Sequence, residues 1–404
     1  MITSENFRTR RKKLTKLVEQ SLIVITGGDL VQKSSDETYE FEQDGYFYYL
    51  TGIDAPGWIL VVNVEAGSEF LISTDESSYH NEVWEDKDTH EDIARISGID
   101  DIRGKDEGWD SLNGLIKGKK AIASIVPHDR FLVDFGMFIN PSKIALVERL
   151  RSMHRGIEVV DTTHHIRTLR TIKDDDEIAK IRKAVAITKL GLDAVTSKLS
   201  EYKHEFEIVA DLTHSFTMQR SRHGYAPVVA HGNNASIIHY RSNNSPIETG
   251  KYLLIDVGAR AGRYSADVTR TFAVGDVSER HKQIYNTVKE AQAVALEFIR
   301  PGVTMRESEM NMEKFLGNKL SELGIIDTVL RKNIRTYYPH ALSHHLGIDI
   351  HDSCDYDQPF APGMVVTVEP GIYLPDEGVG VRIEDDILIT DTGIEILTKD
   401  IEKA

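Results

Sequence analysis

From residue 178 onward, apolar side chains recur at helical spacing (Ile178, Ile181, Ala184, Val185, Leu190) behind a run of four acids, Asp174-Asp175-Asp176-Glu177. That period predicts a long amphipathic helix, and acids in its first turn suit the positive end of the helix dipole. The preceding stretch is patterned differently. A basic, polar segment with Leu14 and Leu17 predicts a surface helix, and residues 22–26 predict a strand closed by Gly27-Gly28. Aromatic and β-branched runs predict further strands at residues 46–50 (stopped by Thr51-Gly52), 58–64, 70–73 and 120–125, with helices at 109–116 and 144–153. Strands alternating with helices predict an α/β first domain, with a boundary at residues 166–174. The expected division is 1–170 and 171–404, and with no low-complexity linker between them the two domains are expected to pack closely.

Composition narrows the function. The chain of 404 residues is 40 % apolar, enough for two sizeable cores. Its net charge of −16 argues against nucleic acid as a partner, because phosphate recognition needs a basic footprint. The single cysteine, Cys354, forbids an intramolecular disulfide and thiolate zinc sites, and its context is not thiolate-activating. No apolar run approaches the ~18 residues of a membrane span. Basic residues near the N-terminus precede only residues 22–25, short of the ~7–15 apolar residues of a secretory signal. A cytoplasmic enzyme that does not engage membranes is expected.

An internal echo lies in the second half. Gly250-Lys251-Tyr252-Leu253-Leu254-Ile255-Asp256 and Gly363-Met364-Val365-Val366-Thr367-Val368-Glu369 each place a carboxylate six positions after a glycine, at the end of an apolar strand. Each is followed by a second strand with another carboxylate, Asp267 and then Glu384. A two-residue turn at Ala261-Gly262 would set Asp256 directly opposite Asp267. Opposed like charges repel, so the pair is either a solvated surface hairpin or the seat of a shared cation. Around Glu384, Arg382, Glu384 and Asp386 share one strand face. Carboxylates with one imidazole suit hard or borderline dications such as Mn²⁺, Zn²⁺ or Co²⁺.

The imidazole is expected from residues 340–351, where His340, His344, His345 and His351 crowd twelve positions without the glutamate of an HExxH zinc motif. Histidines 80, 90, 128, 154, 164 and 165 sit among polar residues or at the boundary and read as non-catalytic, and Tyr46-Phe47-Tyr48-Tyr49 reads as packing.

With these residues assembled, the chain closely resembles the pita-bread metallopeptidases, within them the proline-specific branch of Xaa-Pro aminopeptidases (aminopeptidase P) and prolidases. Residues 41–52 are similar to the signature of the N-terminal creatinase-like domain. Leu254-Ile255-Asp256-Val257-Gly258, Ala266-Asp267-Val268-Thr269-Arg270-Thr271-Phe272, residues 340–352, 367–373 and 382–387 match the catalytic motifs in order. The resemblance implies an α/β N-terminal creatinase-like domain followed by an α+β pita-bread (creatinase/aminopeptidase) catalytic domain.

It also implies two divalent metal ions, Mn²⁺ foremost, with Zn²⁺ or Co²⁺ as alternatives. Asp256 would bind one, Asp267 and Glu384 would bridge, and His344 with Glu369 would complete the second. His239, His340 and His351 match the family's substrate-handling histidines, Arg382 its arginine behind the ligands, and Tyr373 a tyrosine beside the metals. His345 stands where some relatives carry tryptophan, and the segment between Glu369 and Glu384 is shorter than in some aminopeptidases. The implied reaction is hydrolysis of the N-terminal Xaa-Pro bond of peptides with proline second. Two dications about 3.5–4 Å apart would turn a bridging water into the hydroxide nucleophile. Glu369 would relay its proton, while His351 and His239 steady the oxyanion and position the peptide. Prolidase, which splits only Xaa-Pro dipeptides, is the alternative. Creatinase lacks this metal set, methionine aminopeptidase usually lacks such an N-terminal domain, and non-catalytic binding proteins of this fold have typically lost ligands. A homodimer or larger homo-oligomer is implied, with the first domain closing the pocket of its own or a neighbouring subunit.

Overall fold

The computed structural model describes residues 2–74, 88–128, 130–352 and 355–403, so Cys354 and His80 lie outside the described residues. The chain divides into two compact units, residues 2–170 and 171–404.

In the first unit, the basic segment forms α1 (Ser4–Thr15), but it is no solvated face: Phe7, Arg10, Arg11 and Leu14 are buried. Arg11 donates to the carbonyls of Leu50 and Ser97 at 2.9 and 3.1 Å and pairs with Glu69 at 2.6 Å. A buried guanidinium with its donors satisfied ties neighbouring segments together instead of facing water. The apolar run at 22–26 is β1 (Leu22–Thr26), buried at every position. The aromatic run expected as a strand is instead a helix, α2 (Gly45–Thr51). Asp44 accepts from the amides of Tyr46 and Phe47, both at 3.1 Å, and Gly52 closes the helix at φ 73°. An N-cap acid and a left-handed glycine at the two ends outweigh the strand propensity of the aromatics between them.

The other strands of the central sheet are β2 (Trp58–Asn63), β3 (Ser68–Ser73), β4 (Ile102–Arg103), β5 (Ala121–Ser124) and β6 (Glu158–Asp161). The sheet runs β4-β3-β2-β1-β5-β6, antiparallel from β3 to β1 and parallel at both flanks. Helices α3 (Lys105–Ile116) and α4 (Pro141–Met153) seat Trp109, Leu112, Leu146 and Leu150 in the core with Leu22, Val24, Ile59 and Val61.

The second unit opens with α5 (Asp175–Thr196), where the acidic run forms a capping box: Asp174 accepts the Glu177 amide at 2.9 Å, and Glu177 accepts the Asp174 amide at 3.0 Å. After α6 (Glu205–Met218) come β7 (Val228–His231), β8 (Lys251–Val257), β9 (Ala259–Ala261), β10 (Tyr264–Ser265) and β11 (Val268–Val274). β8 runs between β7 and β11, antiparallel to both.

The register departs from expectation. Ala261 pairs with Tyr264, so the turn is Gly262-Arg263, with φ of 55° and 72°, and Asp256 pairs with Thr269 rather than Asp267. Both turn residues are left-handed, as a type I′ hairpin requires, and a turn one residue further along moves every pairing partner by two.

Helices α7 (Glu279–Phe298), α8 (Met305–Glu322) and α9 (Arg331–Tyr337) then lead to β12 (Val365–Val368), β13 (Gly371–Leu374), β14 (Val379–Arg382), β15 (Asp385–Ile389) and β16 (Ile394–Ile396). β12 pairs with β15 and β13 with β14, both antiparallel. Extending the β12–β15 ladder by one step, or the β13–β14 ladder by two, brings Glu369 opposite Glu384. Val288, Ala291, Met312 and Leu316 from the helices pack with Val366, Val368, Ile372, Val381 and Ile387 from the strands, holding this half of the site on a dry, rigid layer.

Candidate metal centre

Five side chains of the metal-ligand type meet in the second unit. Asp256 comes from β8, Asp267 from the crossing between β10 and β11, His344 from the loop before β12, Glu369 from the end of β12, and Glu384 from the link between β14 and β15. One ligand atom each of Asp267, His344 and Glu384 lies within 4.8 Å of the others. His344 Nε2 stands 3.3 Å from Glu369 Oε1 and 3.5 Å from Asp267 Oδ2. Its Nδ1 faces the His345 carbonyl at 3.1 Å, which holds a proton there and turns Nε2 toward the carboxylates.

The surrounding hydrogen bonds fix each carboxylate. The Tyr225 hydroxyl lies 2.5 Å from Asp256 Oδ1 and 2.6 Å from Asp267 Oδ1, bridging the diagonal that the register leaves open. Gly258 makes this possible, because a Cβ there would sit 1.7 Å from the Ala266 carbonyl oxygen and 3.0 Å from the Tyr225 ring. Thr269 donates to Glu384 Oε2 at 2.6 Å, and Thr367 donates to Glu369 Oε1 at 3.2 Å. Arg382 spends its three nitrogens on three partners: Nε on Thr269 Oγ1 at 2.9 Å, Nη1 on Tyr373 Oη at 2.8 Å and Nη2 on Asp256 Oδ2 at 2.6 Å.

His340 extends this chain. Its Nδ1 faces the Ala341 carbonyl at 2.9 Å, so Nε2 takes the Tyr373 hydroxyl proton at 2.7 Å. Burial, with Arg382 close by, pushes the His340 pKa down to about 3, and it stays neutral. Burial likewise pushes Tyr373 up to about 12.

The electrostatics show what the cluster lacks. Burial raises Asp256 despite Arg382, holds Glu369 up at about 7, and drives Glu384 well above the carboxylate range, with neighbouring carboxylates adding to each. Burial alone would lower His344, yet Asp267 and Glu369 lift it to about 9. Four converging carboxylates against one guanidinium and one imidazole still carry an excess of negative charge into a desolvated space, which divalent cations neutralise. The donor set, oxygen-rich with one oriented imidazole, fits such ions.

Of the expected residues, Asp256, Asp267, His344, Glu369, Glu384, Arg382, Tyr373 and His340 come together. His351 stacks edge-on against His344 with centroids 4.5 Å apart and is exposed on its outer side. His239 is exposed in the turn after the short 3₁₀ segment Gly232–Ser236, near enough to bear on the charge of His351. Tyr225, Thr269 and Thr367 were missed. Tyr225 lies in a loop without periodicity, and only the glycine at 258 hinted that something approaches the strand there. His345 is buried, with Nδ1 lacking a hydrogen-bond partner.

Comparison with known proteins places this geometry. Residues 179–391 match metallopeptidase family M24, and residues 7–123 match the aminopeptidase P N-terminal domain. The chain is 30 % identical to the Xaa-Pro aminopeptidase of Escherichia coli K12, covering all of this chain and 96 % of that one. It is 34 % identical to the Xaa-Pro dipeptidase of Pyrococcus horikoshii over 63 % of this chain and 70 % of the relative. The solved structure of aminopeptidase P from E. coli in its low-pH form superposes with a TM-score of 0.89 at 27 % identity, over 100 % of this chain and 97 % of that one. With an α/β aminopeptidase P-type N-terminal domain ahead of its catalytic domain, the chain belongs to metallopeptidase family M24.

Proposed function

We propose that this protein is a metal-dependent aminopeptidase that hydrolyses the N-terminal Xaa-Pro bond of peptides. The carrying observation is the convergence of Asp256, Asp267, His344, Glu369 and Glu384 in one desolvated cluster whose charge calls for cations. In this reading Asp256 would hold one of two divalent ions, His344 and Glu369 would hold the other, and Asp267 and Glu384 would serve both. Manganese is the expected metal, with zinc or cobalt compatible with the same donors. When bound, the pair supplies a Lewis acid for the scissile carbonyl and lowers the pKa of water so that a nucleophile exists near neutral pH.

The chain's own residues do the rest. Asp256, held by Tyr225 and Arg382, receives the free α-amine and makes the enzyme an exopeptidase. Glu369 takes the proton of the attacking water and returns it to the prolyl nitrogen as the C–N bond breaks. His351 and His239, on the open side, donate to the developing oxyanion and position the peptide. Burial and Arg382 keep His340 neutral, and Tyr373, itself held by Arg382, orients it beside Glu369.

The E. coli relative's name favours the aminopeptidase, and the archaeal relative's name favours a second reading, Xaa-Pro dipeptidase. Assay of an Xaa-Pro dipeptide against an Xaa-Pro-Xaa tripeptide, each with defined Mn²⁺, Zn²⁺ and Co²⁺, separates them; activity confined to the dipeptide overturns the first reading. The proposal includes a homodimer or larger homo-oligomer, checked by light scattering, and a cytoplasmic location, checked by fractionation. Among the described residues no helix is long and apolar enough to cross a membrane.

A further inference from the structure

Glu205, the first residue of α6, is wholly buried without a basic partner among the described residues, and four donors from one loop consume its carboxylate. The His231 amide and the Asn234 side chain reach Oε1 at 2.8 and 3.0 Å. The Tyr240 hydroxyl and the Ser245 amide reach Oε2 at 2.9 and 2.8 Å. The Glu205 amide in turn donates to the Ser245 carbonyl at 3.1 Å. The carboxylate thus gathers the start, the interior and the end of the segment from residue 231 to 245, and His239 lies in that segment, one residue before Tyr240.

The segment is also fastened outward. Asn243 accepts the Val229 amide at 2.8 Å and donates to the Pro227 carbonyl at 3.0 Å. The Ser236 hydroxyl donates to the Val379 carbonyl at 3.2 Å, and a Cβ at Gly380 would sit 2.0 Å from the Ala235 carbonyl. The loop therefore lies directly on β14, the strand that ends in Arg382. An exposed imidazole on an otherwise free fifteen-residue loop would sample many positions; pinned at both ends and beside its own Cα, it samples few.

We propose that Glu205 is a positioning residue that sets His239 over the metal centre for substrate. This rests on the reading that His239 contacts the peptide. A buried carboxylate that satisfies four donors is costly to replace by an amide, which turns one acceptor into a donor facing donors.

The test is a double-mutant cycle on the metal-loaded enzyme with an Xaa-Pro-Xaa tripeptide. Glu205→Gln is expected to lower kcat/KM about ten- to a hundredfold with metal stoichiometry unchanged. Because it acts through His239, the double variant E205Q/H239A should be no worse than H239A alone. Should E205Q not fold, Tyr240→Phe, which removes one donor, carries the same cycle with a smaller effect. Losses of E205Q and H239A that multiply, or metal lost from E205Q, overturn the proposal in favour of a general scaffold role. A damaging H239A beside a neutral E205Q removes this inference alone. A neutral H239A removes the substrate role of His239 and this inference with it.

Discussion

On β8 and β11, the register sets Asp256 diagonal to Asp267, and a phenol from outside both strands closes the gap. Where β12 and β13 meet β14 and β15, Glu369 and Glu384 oppose one another, and each takes the hydroxyl of its own threonine, Thr367 of β12 and Thr269 of β11. The first pair is organised by one shared donor, the second by separate ones. A single atom lost from the first pair should therefore disturb two carboxylates at once, whereas in the second it disturbs one. The same chemical requirement, bringing like charges together, is met by two different supports.

Four experiments probe that contrast, from the largest expected effect downward. Chelation of all divalent metal should bring turnover to background and lower Tm, since ligand at about a thousandfold over Kd contributes about 4 kcal/mol to the folded state. Restoring Mn²⁺ should reverse both, and turnover in a metal-free preparation would remove the basis of the comparison. Glu384→Gln, which alters a carboxylate common to both ions in the proposed scheme, should cost at least about a thousandfold in kcat/KM, with reduced metal content by elemental analysis. Tyr225→Phe should cost about 10–100-fold in metal affinity or activity, because it frees Asp256 and Asp267 together. Thr367→Val, which removes the hydroxyl between the His344 amide and Glu369, should cost about tenfold or less. Metal titrations of the last two variants decide the point: a larger loss from Thr367→Val would reverse the ranking of the supports.

The carboxylates proposed as ligands stand out in the sequence because a lone carboxylate closing an apolar strand is costly unless something binds it, and this signal occurs twice in the chain. The register was not legible. Of the turn Gly262-Arg263, only the glycine advertises a left-handed backbone, and the arginine, at φ 72°, does not. Tyr225 was invisible for a different reason: its role is created by a close approach of backbones at Gly258 that no local period records. In the first unit, the aromatic run of α2 was misread because Asp44 and Gly52, the caps at its two ends, decide its conformation. The clustered histidines were found by density, but density could not say that His340 is held neutral by burial and turned to a tyrosine while His344 is turned to the carboxylates.

Arg382 has a consequence for the order in which the molecule assembles. Its guanidinium reaches Asp256 across 126 positions of sequence and Thr269 across 113, so neither contact exists until the two carboxylate-bearing strand pairs have docked. Closures of that span come late in folding, after the local hairpins. The nascent chain therefore carries its acids as separate, weakly ligating hairpins, and strong cation capture is deferred to the last tertiary step. A growing polypeptide built this way does not scavenge stray ions midway, and metal acquisition becomes a report that folding is complete.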